Sequence, residues 1–322
     1  MTAPPAIGVR GRARTVYGTI ARRNGAAGGG ITIIMLNRRA VLSGVSATLV
    51  TRPAFARSEA PPPGVADYET ASGGHVGLYA RNLMTGRAIA WRADERFVMC
   101  STFKASLAAC VLSRVDRGRA RLADRIALVP ADLQDWHAPV ARQNLARGEM
   151  SLGEMCQAAV EQSDNSCANV LLRQVGGPGA LTAYWRGLGD DVSRLDDIEP
   201  FLNRTPPGGL RNTTTPRAMA ATIGRLTRGP ALSPSSRALL MLWLRQCRTG
   251  AARLRAGLPQ GWVIGNKTGN NGKDAASDVG VLWRDPDTPI IISVYTRGGS
   301  PTEAQFKTLF SEVARGVATT LA

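Results

Sequence analysis

The chain carries a hydroxyl and an ammonium three residues apart in Ser101-Thr102-Phe103-Lys104. At a helix start that spacing sets both side chains on one face, one turn apart. The N–H groups of a first helical turn favour negative charge developing at such a serine. The serine still needs a base to become a nucleophile, and a lysine in a desolvated site can give up its proton. A lone S-x-x-K would occur by chance in many chains. Here it is followed by Ser163-Asp164-Asn165 and then by Lys267-Thr268-Gly269. Three such motifs in this order are a strong signal of a shared site.

Hydrophobic periodicity outlines the elements that must position these groups. His75–Arg81 and Arg87–Trp91 alternate like strands, and the intervening 82–86 has turn chemistry, so a hairpin is expected. From Ser101 to Asp116 the period changes to a helical one, with Phe103, Leu107, Cys110, Val111 and Val115 on one face. Helical patterns continue over 151–162, 166–175, 180–187, 215–228 and 234–247, and Ser163-Asp164-Asn165 breaks two of them. Residues 190–212 are polar and aperiodic, which predicts a long loop of the kind that usually carries function. Strands return at Trp262–Lys267, Asp278–Trp283 and Ile290–Thr296, and a helix closes the chain over 301–318. Two strands, a helical block, then three strands and a helix imply one antiparallel sheet built from both chain ends, flanked by helices, with an all-α insertion. The expected organisation is an α/β domain from 57–97 and 248–322 and an all-α domain over 98–247.

Composition excludes several function classes. Two histidines, His75 and His137, are too few for most zinc hydrolase sites. The net charge is +16, from 40 basic and 24 acidic residues. Eight arginines and no carboxylate fall within 1–56, so half of the basic excess belongs to that leader. The remainder shows no dense basic run interleaved with aromatics, which argues against nucleic-acid binding. Within the leader, Arg38-Arg39 precedes a short apolar stretch, about Val41 to Val50, and Ala54-Phe55-Ala56 offers a small-x-small cleavage site. This reads as an export signal of the twin-arginine type, with Met35 as a plausible start. The apolar stretch is far below the ~20 residues that span a bilayer. A periplasmic or secreted protein without a membrane anchor is expected. The five cysteines (Cys100, Cys110, Cys156, Cys167, Cys247) are odd in number, show no metal-type spacing, and read best as small buried hydrophobes.

Taken together, the motifs resemble those of the class A serine β-lactamases, over about residues 65–320. The resemblance includes 97–104, the segment Glu199-Pro200-Phe201-Leu202-Asn203, and Thr213-Thr214-Thr215-Pro216. It implies the serine β-lactamase/DD-peptidase fold, a small-molecule β-lactam substrate, a monomer and no metal or organic cofactor. It also implies roles. Ser101 becomes acylated, with Lys104 or Glu199 as the acylation base. Ser163 relays a proton to the leaving nitrogen, and Lys267 lines the pocket and favours the substrate carboxylate, which Thr268 also binds. Asn165 binds the substrate amide and Lys104. The N–H groups of Ser101 and Asn270, the latter just past Gly269, form the oxyanion hole. Glu199 and Asn203 hold the deacylating water. Arg253 matches an arginine that reaches the carboxylate pocket, and Trp136 (or His137, beside a local insertion) stands where an aromatic gatekeeper does. The rival reading is a D-alanyl-D-alanine carboxypeptidase or penicillin-binding protein, which β-lactams acylate without turnover. Glu199 argues against it, because general-base catalysis of deacylation is worth ~10²–10⁴-fold.

Three departures from the family pattern stand out. Its loop clamp, an arginine paired with an aspartate, is replaced by Asp197 and Asn212, so an Asp–Asn hydrogen bond is expected. Cys100 lacks the partner after the K-T-G strand that carbapenem-hydrolysing members use. Asn271 is bulkier than glycine, which leaves the strand's approach to substrate open to question.

Overall fold

The computed structural model describes residues 60–206 and 208–322. The export signal, with Met35 and the arginine pair, lies outside the described residues. The described residues belong to one compact unit.

The chain enters through α1 (Val65–Ser72) and the hairpin β1 (His75–Asn82) and β2 (Ala88–Trp91). A two-residue strand, β3 (Phe97–Val98), leads to a 3₁₀ turn over Cys100–Thr102 and then α2 (Phe103–Asp116). Next come β4 (Arg125–Ala127), α3 (Pro139–Asn144), β5 (Glu149–Ser151), α4 (Leu152–Glu161), α5 (Asn165–Val175) and α6 (Pro178–Gly187). A long loop then runs to β6 (Thr213–Thr214), followed by α7 (Pro216–Arg228), α8 (Pro234–Arg245) and the single turn α9 (Leu254–Gly257). Strands β7 (Val263–Asn270), β8 (Ala276–Trp283) and β9 (Pro289–Arg297) and helix α10 (Glu303–Leu321) complete it. The expected strands and main helices recur within a few residues of their predicted limits. Sequence periodicity missed α1, the short α3 and α9, and the strands β3 to β6.

The main sheet has the order β2-β1-β9-β8-β7, antiparallel throughout. Its central strands are buried on both faces, and the two faces divide by the period of two. Val76, Leu78, Ile290, Ile292 and Val294 pack with Phe306, Phe310 and Val313 of α10. Tyr79, Val279, Val281, Ile291 and Tyr295 face the larger core of the helical body. Helix α2 is apolar and buried over almost its whole length, from Phe103 to Ser113, so it runs through that core. Cap chemistry fixes the surrounding helices. Ser151 and Glu154 form a capping box on α4, Asp164 caps α5, and Thr215 caps α7 with Pro216 in the first turn.

The loop over 188–212 is tied down at its neck. Strand β6 pairs with β3 in the register Phe97 to Thr214, which brings the end of the loop beside the turn that carries Ser101. Asn212 sits at φ 55°, a left-handed conformation that asparagine tolerates better than most residues. Its Oδ1 accepts the Asp196 and Asp197 N–H groups at 2.8 and 2.9 Å, and its Nδ2 donates to Asp197 Oδ2 at 2.8 Å. The expected Asp–Asn bond is therefore present, within a larger clamp. Arg211 adds an ion pair to Asp197 at 2.7 Å. The Met99 N–H donates to the Asn212 carbonyl at 3.0 Å, so the clamp also touches the Ser101 turn.

Asn212→Ala removes three side-chain hydrogen bonds, one of them to a carboxylate, and places a Cβ without compensation at positive φ. The expected loss is about 2–4 kcal/mol of stability. Urea unfolding checks it, and an unchanged midpoint would mean that the clamp does not hold the loop.

Candidate active site

Ser101 stands in the 3₁₀ turn ahead of α2, and Lys104 follows in the first turn of that helix. Residue Cys100 has φ 46° and Ser163 has φ 60°. Both lie in the sparsely populated left-handed region, which persists only where surrounding structure over-determines it. Ser101, which follows Cys100, and Ser163 both open onto one cavity.

Ser101 Oγ donates to Glu199 Oε1 at 3.0 Å. The Lys104 ammonium pairs with the same oxygen at 3.0 Å, and neither side chain has any exposed surface. The other two Lys104 protons go to the Ser163 carbonyl at 2.8 Å and to Asn165 Oδ1. Its three donors are thus fully used. Glu199 Oε2 accepts from Asn203 Nδ2 at 2.7 Å. The opposite atom of that amide, Asn203 Oδ1, is buried and accepts nothing from the protein.

Lys267 projects from β7 and is wholly buried. Its ammonium donates to Ser163 Oγ at 3.0 Å and to the Thr268 carbonyl at 2.8 Å. Burial pushes its pKa down to about 7, and repulsion from Lys104 and Arg253 acts in the same direction, against the pull of Asp278. Asp278 is itself buried, and desolvation lifts its carboxyl to about 6.

A cavity of about 340 Å³ opens over these groups. Ser101, Ser163, Asn165, Thr268, Gly269 and Asn270 line it, with Trp136 and His137 at its mouth. Both candidates for the gatekeeper position therefore face the cavity, and their carbonyls are pinned by Asn165, through Nδ2 and N respectively, each at 2.9 Å. Lys104, Glu199, Asn203 and Lys267 lie behind the wall. Lys267 was expected to line the pocket, yet its ammonium reaches it through Ser163. Burial of the ammonium under β7 is the reason.

Gly269 is required by close approach. A Cβ there would lie 2.8 Å from Cys100 Cβ and 3.0 Å from the Met99 carbonyl. Arg253 lines the cavity, while its Nη1 binds the carbonyls of Gly269 at 2.7 Å and Ser277 at 2.8 Å. It therefore fastens the ends of β7 and β8 together beside the site. Asn271 is not among the residues that line the cavity. Its Oδ1 turns into the β7–β8 connection and accepts the N–H groups of Lys273, Asp274 and Ala275. All five cysteines are buried and unpaired. Burial drives the Cys100 thiol far above its ordinary range, so it is inert beside the nucleophile.

Three positioning residues escaped the sequence reading. Asn169 holds Glu199 at both backbone atoms, donating to its carbonyl and accepting its N–H, each at 2.9 Å. Its place one turn beyond Asn165 on α5 was the available signal. Thr249 lines the cavity and shares a hydrogen bond with the Thr268 hydroxyl. Asp164, between Ser163 and Asn165, accepts three backbone N–H groups, from Val140, Ala141 and Cys167, at 2.8 to 3.0 Å.

Comparison with known proteins gives a consistent result. A family model described as the β-lactamase enzyme family matches residues 64–321. A β-lactamase of Streptomyces albus G is 42% identical over 261 residues, 80% of this chain and 83% of that protein. Beta-lactamase L2 of Stenotrophomonas maltophilia is 44% identical, with 77% and 81% covered. Among solved structures, a β-lactamase from Xanthomonas campestris pv. campestris superposes with a TM-score of 0.77 at 41% identity, covering 80% of this chain and 96% of the other. A reconstructed ancestral class A β-lactamase gives 0.75 at 47% identity, covering 79% and 97%.

Asp164→Ala leaves three backbone donors unpaired and uncaps α5. It is expected to cost about 2–4 kcal/mol, with Asp164→Asn losing less. Equal loss in the two variants, or none, would contradict the role given to Asp164.

Proposed function

The chain belongs to the class A serine branch of the β-lactamase enzyme family, and from that premise we propose that it hydrolyses the β-lactam amide of penicillins and cephalosporins through an ester on Ser101. The consequence for the host is resistance to these antibiotics. The observation that carries the reading is the Ser101 hydroxyl donating to Glu199 Oε1 at 3.0 Å.

That contact supports Glu199 as the acylation base, because no comparable contact joins Ser101 to Lys104 among the described residues. Ser101 Oγ attacks the lactam carbonyl as its proton passes to Glu199. The carbonyl oxygen gains charge, which the N–H groups of Ser101 and Asn270 stabilise. The C–N bond breaks, and the nitrogen takes the proton of Ser163 Oγ. Lys104, 3.5 Å from Ser163 Oγ and 3.0 Å from Glu199, returns a proton to Ser163 and takes the one held by Glu199, which is a carboxylate again before water is activated. The substrate carboxylate is drawn toward Lys267 and Thr268, and its amide to Asn165. Trp136 or His137 covers the mouth. For deacylation, Glu199 takes a proton from water, and the resulting hydroxide attacks the ester. The unused Asn203 Oδ1 beside Glu199 supplies the second acceptor that such a water needs. Return of the proton to Ser101 completes the cycle.

The proposal is for an exported monomer, as the family resemblance implies. No helix among the described residues is long and apolar enough to cross a membrane. Export rests on Arg38-Arg39 and the apolar stretch that follows.

Nitrocefin hydrolysis tests the reading. Sustained multiple turnover, abolished in Ser101→Ala, is expected. One equivalent of colour from the wild type would mean a penicillin-binding protein instead.

The depressed Lys267 pKa sets a second expectation. Below about pH 7 the free enzyme carries Lys267 as the cation that attracts the substrate carboxylate, and above it that charge is lost. The value of kcat/KM is therefore expected to fall on the alkaline side from well below the ordinary lysine range. Lys267→Arg, whose guanidinium stays charged, should move that limb upward. An alkaline limb that Lys267→Arg leaves in place would assign the titration to another group.

A further inference from the structure

The start of β7, at the end away from Asn270, borders a second cavity of about 310 Å³. It shares no lining residue with the catalytic one. Trp283 at the end of β8, Met241 of α8, Val263 at the start of β7 and Pro286 give it an apolar floor. Val263 remains 44% exposed there. Three guanidiniums edge this floor. Arg228 ends α7, Arg245 ends α8, and Arg284 follows β8. Arg245 lies over the Trp283 ring, 5.1 Å from its centroid. Arg228 and Arg284 are exposed; neither makes a hydrogen bond or close ion pair among the described residues, and the Arg284 charge acts only on its neighbour Asp285.

The single carboxylate at the rim is already engaged. Asp285 accepts the Asp287 N–H at 3.0 Å and the Thr288 hydroxyl at 2.8 Å. The charge imbalance extends into the sequence, since residues 200–273 contain twelve arginines and lysines and no aspartate or glutamate. Arginines at helix C-termini offset the helix dipole, which accounts for Arg228 and Arg245 alone. It explains neither Arg284 nor an aromatic floor beneath the three.

We propose that this cavity binds a small organic anion, an aromatic or alicyclic ring bearing one carboxylate or sulfonate. The ring lies against Trp283, Met241 and Val263, and the anionic group faces Arg228 and Arg284, whose forked donors suit it. The volume falls at the low end of the ~300–1,000 Å³ typical of ligand pockets. Four residue steps along β7 lead from Val263 to Lys267, about 13 Å along the strand, so this site and the catalytic site can be occupied together.

The probe is 8-anilinonaphthalene-1-sulfonate, followed by its fluorescence on the full chain. One saturable site is expected, and it should persist when Glu199→Ala protein is acylated by benzylpenicillin. Affinity should fall at least tenfold in Arg228→Gln/Arg284→Gln. It should fall equally for N-phenyl-1-naphthylamine, which lacks the sulfonate. Nitrocefin turnover and the urea midpoint of the double variant should match the wild type, which shows that the fold is retained; Arg284→Gln alone should weaken binding in the same direction. Unchanged affinity in the folded double variant, equal binding of the uncharged probe, or loss of binding on acylation would each overturn the proposal.

Discussion

The Lys104 ammonium and the Glu199 carboxylate, 3.0 Å apart and fully buried, impose the constraint that organises this protein. An isolated charge in such a place is untenable, and a buried pair survives only when its remaining donors and acceptors are satisfied. The surrounding structure meets that demand almost completely. Ser163, Asn165, Asn203 and Ser101 supply the partners. They come from three segments, so the ion pair can form only when α2, the α4–α5 turn and the long loop have all docked. Removing one member of such a pair typically costs ~3–5 kcal/mol, because the other is left uncompensated. Chemistry and folding therefore draw on the same contacts.

The sheet contributes a second cation under different terms. Lys267 is buried without a carboxylate in contact, and its depressed pKa follows from that. Its donors go to Ser163 and to its own strand. Two ammonium groups thus flank one hydroxyl, that of Ser163, held at positive φ by the Asp164 cap below it. Such an arrangement is costly to fold and suited to moving protons, which is the usual character of an active site. The loop clamp around Asn212 sits at the same junction and transmits the position of Glu199 to the Ser101 turn through β3 and β6.

Much of this was legible in the sequence. The hydroxyl and lysine motifs name their own chemistry, and the long apolar periods gave the five-stranded sheet and the central helices. The Asp197–Asn212 bond was also readable, as two changes that compensate each other. What escaped has physical reasons. Helix α1 is eight residues with little amphipathicity, and it gains its stability from packing, including Tyr68 stacked on Phe306. Two-residue strands such as β3 and β6 carry no period at all. Asn169, Thr249 and the capping role of Asp164 depend on side-chain contacts that only the folded chain creates. The turn that Asn271 makes within the β7–β8 connection was not read from its bulk, since an asparagine can fold back onto its own backbone.

The central claim is that Glu199, and not Lys104, accepts the Ser101 proton and later activates water. Stopped-flow acylation by benzylpenicillin combined with time-resolved intact mass, on Glu199→Gln beside the wild type, tests it most directly. The account predicts that Glu199→Gln acylates at least ~10²-fold more slowly and then persists as the penicilloyl ester. Acylation at the wild-type rate would assign the first proton to another base, and rapid loss of the adduct would remove Glu199 from deacylation as well.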